Sequence, residues 1–310
     1  MSCRLRARTV ARYAILALLL NNTPALAQDL EDTEFDVIPV ADGLYMLKGA
    51  GGNIAVSAGE DGVFLIDDEY PQLTEKLRAA VASISEQPIK FVFNTHWHGD
   101  HTGGNEALAE GGALIFAHDN SRKRMTMENS LEAFGYVAKP SPEGALPVVT
   151  FDRSITFHRN GLEIHAFHVE SAHTDGDAVV FFRGANVVHT GDIFQPHAYP
   201  FIDLGTGGSM DGIIHGIDRL LTMIDRDTKV IPGHGRLSNA KDVRRYRNML
   251  VAVRARVAAE IRAGKTPEEV IAAKPTAAFD PEWGQGYING ELLTKILYDD
   301  LSDDLSRQSH

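Results

Sequence analysis

IKFVFNTHWHGDHTGGN, residues 89–105, passes from an apolar run directly into a cluster of histidine and aspartate. The run 89–94 is typical of a buried strand. Two histidines spaced i and i+2 after a strand converge on one ion only if the chain bends, and Gly99 permits that bend. Imidazole nitrogen and carboxylate oxygen are the ligands that zinc takes when no thiolate is available, so the stretch predicts a metal site at a strand end. The candidate ligands here are His96, His98, Asp100 and His101.

Histidine and aspartate recur in three later segments that are rich in turn-forming residues. These segments are SAHTDGD at 171–177, TGD at 190–192 and IPGHG at 231–235, and they carry His173, Asp192 and His234. Taken alone, each of these side chains fits a cap or a turn as well as it fits a ligand. Taken together with the first cluster, they favour metal ligation over a solvated, histidine-rich surface.

In chain order, these segments resemble the signature of the metallo-β-lactamase superfamily. NTHWHGDHTGGN at 94–105 is similar to its histidine motif, and VFLID at 63–67 is similar to its early strand. The resemblance extends over residues 42–235 and implies a four-layer αββα sandwich. The order of predicted elements agrees with that fold class, because two strand-rich regions alternate with helices.

The resemblance also implies how the ligands are divided between two zinc ions. By that resemblance His96, His98 and His173 hold the first ion, Asp100, His101 and His234 hold the second, Asp192 bridges them, and Asp67 supports the ligands from behind. Two ions held in this way generate a hydroxide near neutral pH, which attacks a carbonyl carbon. Asp100 is expected to orient that hydroxide. Iron and manganese remain open as alternatives to zinc, because ligand types alone do not fix the metal.

The implied reaction is hydrolysis of a small molecule at an ester, lactone, thioester or β-lactam-like amide bond. Thiolate-bearing β-lactamases of the family have a cysteine where Asp192 stands, and many have a lysine where Gln195 stands. The sequence is therefore more similar to glyoxalase II and the lactonases. Two other classes stay open, a mononuclear iron dioxygenase of the same fold and a non-catalytic metal-binding protein. The complete set of second-ion ligands favours the two-metal hydrolase over both.

Residues 1–27 have the composition of a secretory signal peptide. Basic residues precede the apolar run 13–20, and Ala25-Leu26-Ala27 matches the small-x-small cleavage pattern. We therefore expect cleavage near Ala27 and a periplasmic or secreted protein, with an uncleaved anchor as the alternative. The single cysteine, Cys3, lies in this segment, so disulfides and cysteine ligands are not expected in the mature chain.

The rest of the chain, 28–310, is predicted to form a single domain with a helical C-terminal region and an irregular insertion at 118–147. The formal net charge is −12, and loss of the basic leader makes it about −16. Such a surface repels phosphate backbones, so nucleic acid is not an expected partner. We expect a small-molecule substrate and no stable membrane insertion after cleavage, while the oligomeric state stays open.

The loop 195–208 follows Asp192 and is rich in glycine and proline. Loops beside a metal site often determine specificity. We therefore expect His197, Tyr199 and Phe201 to line the substrate pocket.

Overall fold

Two β-sheets face each other, and each has helices on its outer side. The computed structural model describes Leu30 and residues 32–131, 133 and 135–308. The predicted leader at 1–27 lies outside the described residues. The first sheet has seven strands in the order β1-β2-β3-β4-β5-β6-β9, and the second has six in the order β10 to β15. This arrangement is the αββα sandwich that the sequence predicts.

The strands are short, and most of them match the apolar runs of the sequence. They are β1 Asp36–Ala41, β2 Leu44–Lys48, β3 Ile54–Gly59, β4 Gly62–Ile66, β5 Ile89–Phe93, β6 Leu114–His118, β7 Asn129–Leu131, β8 Tyr136–Ala138, β9 Val149–Phe151, β10 Ser154–Arg159, β11 Leu162–Val169, β12 Asp177–Arg183, β13 Val187–His189, β14 Lys229–Ile231 and β15 Ser238–Asn239. Strands β4, β5, β6 and β9 run parallel, as do β13 and β14, and the other pairs in the two main sheets are antiparallel.

The helices lie between the strands in the first half and dominate the last third. They are α1 Thr74–Ala82, α2 Gly99–Thr102, α3 Asn105–Glu110, α4 Asp119–Met125, α5 Met210–Met223, α6 Ala240–Arg262, α7 Pro267–Ala272, α8 Asp280–Trp283 and α9 Gly290–Gln308. No helix among the described residues is long and apolar enough to cross a bilayer.

Alternation along the strands builds the four layers. In β4, Phe64 and Ile66 join the apolar cluster between the sheets, while Val63 and Leu65 join the cluster beneath α1 and α3. Successive strand side chains point to opposite faces, and β4 is buried on both because each face has an apolar partner. Strand β12 repeats the pattern, since Phe182 faces the first sheet while Val179 packs with α5 and α6.

The candidate ligands follow strand ends that meet at one edge of the sandwich. The stretch 94–101 leaves β5 in the first sheet, while His173, Asp192 and His234 follow β11, β13 and β14 in the second. Strands β11, β13 and β14 run in the same direction, because β12 is antiparallel to both of its neighbours. The fold therefore brings residues far apart in sequence to a common place between the sheets.

The insertion at 118–147 is more regular than the sequence predicts. It contains α4 and a two-stranded hairpin, β7–β8. Each strand of this hairpin has only three residues, which is too short for alternation to show in the sequence.

Candidate metal centre

Three histidines converge at the edge of the sandwich, and we call them the three-histidine cluster: His96, His98 and His173. His98 Nδ1 lies 3.1 Å from His96 Nε2 and 2.9 Å from His173 Nε2. All three residues are buried. Each ring turns one nitrogen toward the same point, which is the geometry needed to share one ion.

A second group lies beside the first, and we call it the mixed cluster: Asp100, His101 and His234. Asp100 Oδ2 lies 3.4 Å from His101 Nε2 and 3.3 Å from His234 Nε2. The two imidazole Nε2 atoms are 3.4 Å apart. Carboxylate and imidazole donors thus face one another, as the resemblance implies for the second ion.

Asp192 lies between the two clusters. Its Oδ1 is 3.4 Å from His101 Nε2, and its Oδ2 is 3.3 Å from His234 Nε2 and 3.8 Å from His173 Nε2. Among the described residues, Asp192 Oδ1 is a buried atom without a hydrogen-bond partner. A buried carboxylate oxygen that faces imidazole nitrogens and accepts no hydrogen bond fits a site for a cation.

The grouping of ligand atoms supports the same assignment. The donor atoms within each of three sets lie within 4.8 Å of one another: His96, His98 and His173; His96, His101 and Asp192; and Asp100, His101 and His234. The structure therefore brings together all the ligands that the sequence proposes, and their chemistry suits two adjoining metal ions.

Asp67 supports the mixed cluster from behind. Its Oδ2 lies 2.8 Å from His101 Nδ1 and accepts a hydrogen bond from Thr95 Oγ1, while its Oδ1 accepts one from the Thr95 backbone N–H. These contacts turn His101 Nε2 toward the centre, as carboxylate partners do for metal-binding histidines. The structure thus places Asp67 where the resemblance implies.

Asp203 supports the three-histidine cluster in the same way, and it is not among the residues predicted from the sequence. Asp203 Oδ2 lies 3.1 Å from His98 Nε2 and also accepts a hydrogen bond from Thr206 Oγ1. Burial raises the pKa of Asp203, but the hydrogen bond from His98, the charge of His98 and the hydrogen bond from Thr206 together lower it. The only sequence signal was a carboxylate in the loop after Asp192.

The three residues expected to line a pocket have different surroundings. Phe201 is partly buried and stacks beside His98 with ring centroids 5.9 Å apart, while its carbonyl lies 2.8 Å from His173 Nδ1. His197 lies at the rim, where its Nε2 accepts a hydrogen bond from Arg236. Tyr199 is only 1% exposed, and its hydroxyl donates to the carbonyl of Thr276, so it lies in the core and not on a pocket wall.

Two members of the three-histidine cluster, His96 and His173, are held neutral. Burial lowers the pKa of His96 well below its ordinary value, and nearby His101 and His173 lower it further. Burial, followed by His98, lowers the pKa of His173 to about 4. Neutral imidazoles keep a lone pair available, which is the form that binds a metal.

The mixed cluster has the opposite electrostatics. Burial would lower the pKa of His234, but Asp192 and Asp100 outweigh burial and raise it to about 10. Asp100 and Asp192 likewise overcome burial to raise the pKa of His101 well above its ordinary value. In turn these histidines hold the pKa of both aspartates well below the ordinary range, against the effect of burial. Without metal, this cluster is a network of ion pairs.

Two sheets enclosed by helices, with a histidine and aspartate centre at the edge where they meet, define an αββα metalloprotein. The match to a family model agrees, because residues 48–235 match the metallo-beta-lactamase superfamily. The chain belongs to this superfamily.

Two curated relatives are hydroxyacylglutathione hydrolases. The one from Nitrosococcus oceani is 27% identical over 188 residues, which cover 60% of this chain and 63% of the relative. The one from Pelagibacter ubique is 27% identical over 150 residues, which cover 47% of this chain and 52% of the relative. The chain thus spans less than two thirds of the length of either relative.

Solved structures share the fold at low sequence identity. The DIM-1 metallo-beta-lactamase is 16% identical with a TM-score of 0.57, covering 71% of this chain and 99% of that one. The sec-alkylsulfatase Pisa1 from Pseudomonas sp. is 18% identical with a TM-score of 0.68, covering 86% of this chain and 50% of that one.

Proposed function

We propose that this protein is an exported hydrolase that uses two zinc ions to cleave an ester, lactone, thioester or amide bond in a small molecule. The observation that carries the proposal is the meeting of two complete ligand clusters at Asp192. Each cluster offers three protein donors, and that number leaves room for water or substrate at a catalytic zinc. The names of the curated relatives agree with a hydrolase and favour a thioester among the candidate bonds.

Zinc ions bound here would supply water that is acidic enough to react near neutral pH and an electrophile for the developing oxyanion. The protein's own contribution is orientation and charge. The Asp100 side chain is 21% exposed, whereas that of Asp192 is 8% exposed, so Asp100 is the carboxylate within reach of solvent. We assign Asp100 to accept a hydrogen bond from the attacking water and so orient it.

The walls of the centre favour an uncharged acyl group. Phe201, which is partly buried, packs beside His98, so an aromatic ring borders the three-histidine cluster. At the rim, Arg236 contacts Asp242, and Arg245 contacts Glu282. These acidic partners leave the rim without excess positive charge, and the acidic chain repels anions.

The first test combines metal content with activity. Mature protein purified without added metal is analysed for bound elements, and nitrocefin, a thioester and a lactone are assayed on the same sample. We expect about two zinc ions per chain and turnover of at least one substrate. His165→Ala is the matched control, because His165 lies in β11 and its side chain hydrogen-bonds Thr156 of the neighbouring strand β10. About one iron per chain without hydrolysis would contradict the proposal.

Export is tested separately. Expression of the full chain in a bacterial host, followed by fractionation and N-terminal sequencing, is expected to give periplasmic protein that begins at Gln28. Cytoplasmic protein with an intact N-terminus would remove export from the proposal but would leave the hydrolase intact.

A further inference from the structure

A glycine-rich stretch lies directly on the mixed cluster. We call this stretch, Gly49–Gly52, the glycine loop. It connects β2 to β3. A Cβ atom added to Gly52 would lie 2.4 Å from His101 Cε1, and one added to Gly51 would lie 2.9 Å from Asp100 Cβ. Contacts this short exclude a side chain, so the backbone itself covers these two ligands.

Glu69 holds the glycine loop in place. Both carboxylate oxygens lie 2.9 Å from the Gly51 backbone N–H, which donates to them. Glu69 is fully buried and has a φ of 66°, in the left-handed region that side chains other than glycine rarely adopt. A buried carboxylate on a strained backbone is costly to the fold. Such a cost is typical of residues retained for a site.

The end of the glycine loop joins the two halves of the sandwich. The Gly52 N–H donates to the carbonyl of Asp100, and the Asn53 N–H donates to the carbonyl of Gly233. The Asn53 side-chain amide donates to the carbonyls of Pro232 and Gly235 at 2.9 and 3.0 Å. Residues 51–53 therefore connect the segment carrying Asp100 and His101 to the segment carrying His234.

These contacts belong to only one of the two clusters. Over the part of the chain that the structure describes, residues 51–53 make no hydrogen bond to a member of the three-histidine cluster. His98 and His173 are instead fixed by Asp203 and by the carbonyl of Phe201. The two clusters are thus supported by different parts of the chain.

We propose that Glu69 is a positioning residue for the second metal ion, acting through the glycine loop. Its hydrogen bonds from the Gly51 N–H fix the separation between Asp100, His101 and His234. That separation determines how tightly the mixed cluster binds its ion. The first ion, in the three-histidine cluster, does not depend on Glu69. This inference rests on the proposed two-metal function.

The test measures zinc binding, not activity. Metal-free wild-type protein, Glu69→Gln and Glu69→Ala are titrated with zinc in competition with a chelator. Loss of an outer partner typically weakens metal binding by about 10- to 100-fold, so we expect that loss for the second ion and no change for the first. Glu75→Gln is the matched control, because the Glu75 side chain is 88% exposed and pairs with Arg78 on the surface.

Asn53→Asp provides an independent variant of similar size that removes the amide donor to Pro232 and Gly235. It is expected to weaken binding of the second ion as well. If Glu69→Ala fails to fold by circular dichroism, Glu69→Gln decides the question. Folded Glu69→Gln and Asn53→Asp variants that bind both ions like the wild type would overturn the inference, as would equal weakening of both ions. A wild-type protein that binds a single ion would instead overturn the two-metal function itself.

Discussion

The two clusters of the metal centre use the same kind of side chain but hold it in opposite charge states. In the three-histidine cluster, burial keeps the pKa of His96 and His173 low. In the mixed cluster, carboxylates overcome burial and keep the pKa of His101 and His234 high. His96 and His173 thus keep a lone pair free, whereas the raised pKa of His101 and of His234 favours their protonated forms. An ion entering the second cluster must displace those protons.

Asp192 is the residue whose loss breaks both clusters together. Asp192→Asn keeps the shape of the side chain but removes the negative charge that His101 and His234 share. We expect kcat/KM for hydrolysis to fall by more than about 100-fold. Loss of an outer partner alone costs up to about 100-fold, and here a proposed direct ligand is altered. The protein should no longer bind the second ion, and it should bind the first ion more weakly. Elemental analysis and kcat/KM are measured with His165→Ala in parallel, and a variant that retains two ions and full activity would contradict the bridging role.

The pH dependence of zinc binding separates the clusters without any mutation. Between about pH 6 and pH 8, His96 and His173 are already neutral, so binding of the first ion should release no proton from them. Over this range His234 is protonated, because its pKa is about 10, and the raised pKa of His101 favours its protonated form as well. Binding of the second ion should therefore release up to about two protons and strengthen by up to about 100-fold per pH unit as the pH rises.

Calorimetry in buffers of different ionisation enthalpy counts the protons released as each ion binds. Equal proton release for both ions would show that the clusters do not differ in charge state.

The raised pKa of His234 also predicts how the stability of the metal-free protein depends on pH. Because the pKa of His234 is raised from 6.5 to about 10 in the folded protein, it stabilises the fold fully at pH values below 6.5. This stabilisation is lost as the pH rises through about 10.

Asp203 offers a smaller and more selective change in the first cluster. Asp203→Asn keeps the contact with Thr206 but removes the charge beside His98 Nε2. We expect the first ion to bind about 10- to 100-fold more weakly, with the second unchanged, which is the reverse of the pattern for Glu69→Gln. Zinc titration against a chelator checks this. Asp218→Asn is the control, because Asp218 pairs with Arg247 on the surface of α5. Weakening of the second ion alone would contradict the separate support of the clusters.

The sequence predicted the candidate ligands and one residue that supports them, Asp67, but not Asp203 or Glu69. Each ligand segment follows a strand end and has residue types that bind zinc, so spacing, order and the family resemblance named the candidates. Asp203 and Glu69 are single carboxylates without a motif. Asp203 meets His98 across 105 residues, and Glu69 meets Gly51 only because β2, β3 and β4 pair in one sheet. Tyr199 was predicted to line a pocket because its burial depends on contacts with Thr276 and Asp280, which lie far away in the sequence.

Phe201 tests whether the clusters also differ in the part of the substrate that they face. Its ring centroid lies 5.9 Å from that of His98 and 5.7 Å from that of His173, so it borders the three-histidine cluster. Phe201→Leu preserves an apolar side chain but shortens the wall. The loss of a few buried carbons is expected to raise KM for an acyl substrate by roughly 10-fold, with little change in kcat.

The comparison that sharpens this prediction uses substrates with longer and shorter acyl chains. A wall that contacts the acyl group should make the penalty larger for the longer chain, because more apolar surface is left in water. Both zinc affinities should stay at the wild-type values, since the carbonyl of residue 201, which contacts His173, belongs to the backbone. An equal KM increase for every substrate, or loss of the first ion, would instead mean that the ring supports the ligands and does not contact the substrate.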